Sequence, residues 1–83
     1  MERALLPLDQ LPIGRFGEVR ALLADSVARR RMLDLGLIEH TRVEALRRSP
    51  SGDPVAYQFR GAVIALRSDE ARQIMVELCG NNL

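Results

Sequence analysis

Val55-Ala56-Tyr57-Gln58-Phe59-Arg60-Gly61-Ala62-Val63-Ile64-Ala65-Leu66 is the stretch that decides the fold. Val55, Tyr57 and Phe59 alternate with Ala56, Gln58 and Arg60, the period-two pattern of a strand with one buried face. Gly61 predicts a tight turn into the next strand. Ala62–Leu66 is apolar throughout, which predicts a strand buried on both faces. Upstream, Ser49-Pro50-Ser51-Gly52-Asp53-Pro54 predicts a hairpin loop. It joins this unit to a strand within Thr41–Arg48, where Val43 and Ala45 share one side and Arg42 and Glu44 the other.

Working outward, residues 16–23 predict a strand with Val19, Ala21 and Leu23 on one face and Glu18 and Arg20 on the other. Ile74, Val76 and Leu78 predict the last strand. Pro7 and Pro12 restrict Leu6–Leu11 to a sheet edge, because proline cannot donate to a ladder. The runs Leu6–Leu11 and Ile74–Leu78 either pair with each other, the reading preferred here, or offer an edge to another copy, so the chain is a monomer or a weak homo-oligomer.

One helix interrupts the strands. Asp25 or Ser26 caps it, Val27–Leu35 forms its body, and Gly36 suits a left-handed stop. Ala28, Met32 and Leu35 share one face, while Arg29, Arg30 and Leu33 point the other way. Arg30 and Asp34 are spaced to pair. A helical turn is predicted at Ser68–Gln73, capped by Ser68, with Asp69 and Glu70 at its positive end.

Composition narrows the function. Eighty-three residues make one domain at most, and 47% hydrophobic content excludes a disordered chain. A lone cysteine, Cys79, excludes a disulfide scaffold. No apolar run approaches a membrane span, and the opening MERALLPLDQL, with its acid at Glu2, does not read as a signal peptide. The expectation is a cytoplasmic protein without direct membrane insertion. Twelve bases, all arginine, face eleven acids, less basic than a dedicated nucleic-acid binder. With Tyr57 and Phe59 turned inward, only Phe16 is left as a stacking platform.

Catalysis needs convergent groups, and none converge here. His40 and Cys79 lie in a turn and a tail, and no acids pair as acid and base. One histidine and one cysteine supply no familiar metal spacing, so Glu39 and His40 offer at most a weak contact to an ion such as iron(II). No cofactor, catalytic residue or metal site is expected. The triplet Arg29-Arg30-Arg31 is the densest charge cluster, suited to phosphates, a protein rim or plain solvation. Leu33, among these arginines, is either a second core contact or an exposed anchor.

Arg30-Arg31-Met32-Leu33-Asp34-Leu35-Gly36-Leu37 followed by Thr41-Arg42-Val43 resembles the helix, glycine stop and strand of the ferrous-iron transport protein A (FeoA) family. Ser51-Gly52-Asp53-Pro54-Val55 is similar to that family's central hairpin. Gly61-Ala62-Val63-Ile64-Ala65-Leu66-Arg67, Glu70-Ala71 and Ile74-Met75-Val76 resemble its last two strands and the turn between them, and Leu8-Asp9-Gln10-Leu11-Pro12-Ile13-Gly14 its start. The resemblance spans roughly residues 6–78. It departs at Glu39-His40, where the family has Pro-Gly. Glycine there would serve a positive φ, so a reshaped turn is expected at 37–41.

The resemblance implies a mainly β fold: a small SH3-like β-barrel with one short α-helix after the second strand and a helical turn before the last. It implies a non-enzymatic, cytosolic accessory of ferrous-iron uptake. The implied partner is the FeoB-type permease, a membrane protein with a cytosolic GTP-binding domain through which the chain is held at the membrane. The alternative is a regulatory module acting on a soluble partner, like the SH3-like C-terminal domain of iron-dependent repressors. The candidate docking residues are Arg29, Arg30, Leu33, Leu37 and Ile38, an apolar centre rimmed by arginine.

Overall fold

The computed structural model describes residues 4–79; the N-terminal residues 1–3 and the tail from Gly80, which bear on the leader and tail readings, lie outside the described residues. The chain runs β1 (Leu5–Pro7), a 3-10 turn (Leu8–Gln10), β2 (Phe16–Leu22), α1 (Ser26–Leu35), β3 (Arg42–Arg48), β4 (Val55–Phe59), β5 (Ala62–Leu66), α2 (Ser68–Ala71) and β6 (Ile74–Leu78). The six strands form one antiparallel sheet in the order β1-β6-β2-β3-β4-β5. The helix follows the second strand and the helical turn precedes the last, as expected. β1 pairs with β6, which is the preferred of the two edge readings.

The core is one cluster. Val43 and Ala45 from β3, Val55, Tyr57 and Phe59 from β4, and Ile74 and Val76 from β6 meet Leu8, Val19, Met32 and Leu66. The alternation read from β3 and β4 therefore faces inward as expected, as do Ile74 and Val76 of β6, whose Leu78 is exposed. β2 departs from it: Ala21 and Leu23 are exposed and Leu22 is partly buried. A bulge between Val19 and Ala21, in the pairing with β6, shifts the register, and one extra residue sends every later side chain to the opposite face. Gly17 lies buried in the same strand, where an added Cβ would stand 2.9 Å from Val76 Cγ2.

β5 departs too. Ala62, Val63 and Ala65 are exposed, and only Ile64 and Leu66 turn toward the core. The uniform apolar run suggested burial on both faces, but β5 stands at the end of the sheet with β4 as its one strand neighbour. The turn into it uses Arg60 at φ 54° and Gly61 at φ 80°, the two-residue geometry that suits strand twist.

α1 is built as its sequence indicates. Asp25 Oδ1 accepts from the Ala28 N–H at 3.0 Å, and Gly36 ends the helix at φ 102°. α2 is capped differently from expectation. Ser68 is its first residue, and its N–H donates to Asp53 Oδ1 at 2.9 Å. Glu70 Oε1 accepts from the Arg67 N–H at 3.1 Å. The hairpin loop before β4 thus supplies a cap for a helix far along the chain.

Tyr57 is the chain's single tyrosine, buried, with its hydroxyl donating weakly to the Leu8 carbonyl at 3.4 Å. Burial, helped by the Asp9 charge, pushes its pKa up to about 12. A folded-state value above the unfolded one means that the neutral phenol stabilises the fold fully below the unfolded value near 10 and ceases to as pH rises through about 12. An ultraviolet titration will show phenolate appearing near pH 12 together with unfolding, and Tyr57→Phe will remove that alkaline loss. A midpoint near 10 with the fold intact would contradict this burial.

Candidate partner-docking surface

α1 and the turn after it carry the predicted docking residues, and the structure sorts them. Arg29 is exposed and reaches back across the helix start, its Nη1 donating to the Leu22 carbonyl at 3.0 Å. Arg30 is exposed and forms no ion pair with Asp34 or any other residue among the described residues. Leu33 is 37% exposed and Ile38 is 43% exposed. Leu33, Arg29, Ala21, Leu22 and Glu39 line a shallow depression of about 80 Å³ between α1 and β2.

Leu37 does not belong to this surface, because it is fully buried. The reason lies in the helix stop. The Gly36 N–H bonds the Leu33 carbonyl and the Leu37 N–H bonds the Met32 carbonyl, each at 3.0 Å. This paired arrangement turns the chain back beneath the last helical turn and sets the residue after the glycine against the helix's apolar face. Leu37 supports the surface from below, and Thr41 Oγ1 secures the same turn by donating to the Gly36 carbonyl at 3.1 Å.

The turn 37–41 keeps a positive φ despite lacking glycine. His40 itself stands at φ 77°, its N–H bonded to the Val19 carbonyl at 2.7 Å. Its Nδ1 lies 2.7 Å from Glu18 Oε2, and Arg20 Nη1 lies 3.2 Å from the same carboxylate oxygen. The His40 bond, and then the Arg20 charge, hold Glu18 below the ordinary carboxylate value. A lowered folded pKa means a contribution present at neutral pH and lost as pH falls through that lowered value. The left-handed backbone costs a non-glycine residue roughly 1 kcal/mol. His40→Gly is therefore expected to melt above His40→Ala by roughly 1 kcal/mol in stability, since only the alanine variant retains the strain. Thermal melts of both variants read this, and an alanine variant at least as stable would show that no strain resides there.

The other candidates separate. Arg42 lies over the Phe16 ring, 4.5 Å from its centroid, so the proposed stacking platform is already covered. Cys79 is a free thiol whose N–H bonds the Phe16 carbonyl, while His40 is engaged by Glu18. Glu39 approaches His40 Nε2 at 3.7 Å, but Arg20 sits against both Glu18 and His40, and among the described residues no three histidine, cysteine or acid side chains form a metal site. Sequence reading missed the Glu18–Arg20–His40 cluster. His40 joins it from 22 positions beyond Glu18, and no local pattern marks such a pair.

Comparison with known proteins adds the family context. The sequence model of the FeoA domain matches residues 6–78. The FeoA protein of Chlorobium tepidum is 32% identical, with 94% of this chain and 74% of that chain covered and a TM-score of 0.85. The Stenotrophomonas maltophilia FeoA, solved with zinc and described as a procaryotic SH3 domain protein and candidate ferrous iron transport activating factor, is 27% identical. The match covers 86% of this chain and 88% of that one, with a TM-score of 0.77. A manganese-dependent transcriptional repressor, 21% identical with 95% of this chain and 44% of its own covered, shares the fold at a TM-score of 0.79. A search of curated proteins finds no match.

Proposed function

This chain belongs to the FeoA domain family, and on that premise we propose that it is a non-enzymatic accessory of ferrous-iron uptake that docks on the cytosolic GTP-binding part of a FeoB-type permease. The family match over residues 6–78 carries the reading. The surface supports it. Leu33 and Ile38 are large apolar side chains held exposed beside Arg29 and Arg30, the composition of an interface anchor with a charged rim. Arg29 is held by the Leu22 carbonyl, so less side-chain entropy is lost when a partner binds.

The SH3-like fold suits such work, because it presents surface between loops and needs no catalytic group. No helix among the described residues is long and apolar enough to cross a membrane. We place the chain in the cytosol, at the membrane through its partner. Titration calorimetry of the chain against the purified cytosolic part of the ferrous permease from the same source tests the reading. Saturable one-to-one heat is expected. Absence of heat, with a soluble regulator binding instead, would replace it with the regulatory-module reading.

A further inference from the structure

A second surface lies on other elements, and the inference from it does not rest on the docking reading above. β5 is an open sheet edge. Its pairing with β4 sets Phe59 opposite Ala62 across the two-residue turn, so Ala62, Ile64 and Leu66 direct their main-chain groups to β4. Alternation then leaves the N–H and C=O of Val63 and Ala65 pointing away from the sheet. No residue of β5 makes a main-chain bond to any other element among the described residues. The strand carries no charge and no proline, and Val63 is 53% exposed, so the usual guards of an edge are missing.

Beside this edge runs a trough of about 290 Å³ on the outer face of β3, β4 and β5. Its floor is Ala56 and Ala65, directly opposite each other in register, with Pro50 and Pro54 at one end. Two alanines facing each other leave the depth. Arg47 and Arg48 form its rim; Arg60, at the turn into β5, lies instead against Gly36 at the end of α1. Neither Arg47 nor Arg48 has an ion-pair partner among the described residues, whereas Arg20, Arg31 and Arg67 are all paired. The near acid, Asp53, is engaged by Ser68 and Arg67.

We propose that β5 and this trough bind an extended acidic segment of a partner protein, which adds to the sheet as a further strand. The Val63 and Ala65 main chain supplies the hydrogen bonds, the alanine floor takes a small apolar side chain, and Arg47 and Arg48 meet carboxylates. A second copy fits less well. A β5 strand from a second copy carries no acid in Ala62–Leu66, so it would bring no carboxylate for Arg47 and Arg48. A single-stranded nucleic acid would share the arginines but would find no aromatic platform, since Tyr57 and Phe59 are buried.

The test is a nuclear magnetic resonance titration of the full chain with a synthetic nine-residue probe: alternating valine and threonine, flanked at both ends by glutamates. The expected result is shifting of the Val63 and Ala65 amides, with their solvent exchange slowed roughly tenfold or more. A probe N-methylated at alternate residues should leave them unprotected. Val63→Pro removes an outward donor without touching the β4 ladder, and is expected to weaken the probe roughly tenfold. Arg47→Ser with Arg48→Ser, which leaves the backbone untouched, is expected to do the same. Unmoved β5 amides at millimolar probe, or equal binding of the N-methylated probe, would overturn the proposal. So would tighter binding of a mixed oligonucleotide at the same amides, or their protection by self-association without probe.

Discussion

Leu37→Ala will lower the unfolding free energy by roughly 2–4 kcal/mol, the range for emptying a fully buried leucine site. A domain of this size holds on the order of 4–12 kcal/mol in total, so the loss is a large fraction of it. The melting temperature is expected to fall by on the order of 15 °C, read by circular dichroism. Leu37 has no exposed surface and packs in the same cluster as Met32 and Phe59. Its position is fixed by the paired hydrogen bonds at the helix stop, so the site cannot readily close around a cavity. On the proposed docking, the folded fraction of the variant should bind the permease's cytosolic part with the parent's affinity. A melting temperature that stays put would show that Leu37 is not the keystone beneath α1.

Leu33→Glu is the mirror case. At 37% exposure the side chain gives up little buried area, and stability should change by under about 1 kcal/mol. Affinity for the permease's cytosolic part should fall roughly thirtyfold or more, the effect of placing a charge at an interface anchor worth about 2 kcal/mol. Calorimetry and a melt on the same preparation separate the two effects. A collapse in melting temperature like that of Leu37→Ala would make Leu33 a core residue. A normal melt with unchanged affinity would remove α1 from the interface. Four positions separate the two leucines, and one glycine turn sends them to opposite duties.

What the sequence disclosed follows from how local each cause is. The β4 alternation reads correctly because Val55, Tyr57 and Phe59 have strands on both sides and one face on the core. The helix reads correctly because Asp25 and Gly36 act within a few residues of where they stand. Leu37 was readable in principle, since an apolar residue directly after a helix-stop glycine tends to fold under the helix. The β2 bulge was not, because it arises from the pairing with β6 and leaves no mark between Val19 and Ala21. β5 misled for a related reason: an apolar run does not reveal whether a sixth of the sheet lies inside or at its rim. The proposed docking surface was half legible. Helical phase set Leu33 opposite Met32 but left open whether it was core or exposed, Ile38 lies in the turn beyond the helix, and the Leu22 carbonyl that holds Arg29 is a tertiary fact. The trough beside β5 was invisible, since Arg47, Ala56 and Ala65 come from three strands.

The place of β6 in the sheet bears on how the molecule is made. Val76 lies opposite both Leu6 and Val19, so the last strand among the described residues separates the first two. β2, β3, β4 and β5 can assemble while synthesis continues, because each pairs with the next strand along the chain. β2 can pair with β3 as soon as β3 is made, but its other edge stays uncovered, and β1 has no strand partner, until residues 74–78 exist. A nascent chain halted before Ile74 therefore carries four paired strands and an open seam along β2, which β6 closes when it enters between β1 and β2.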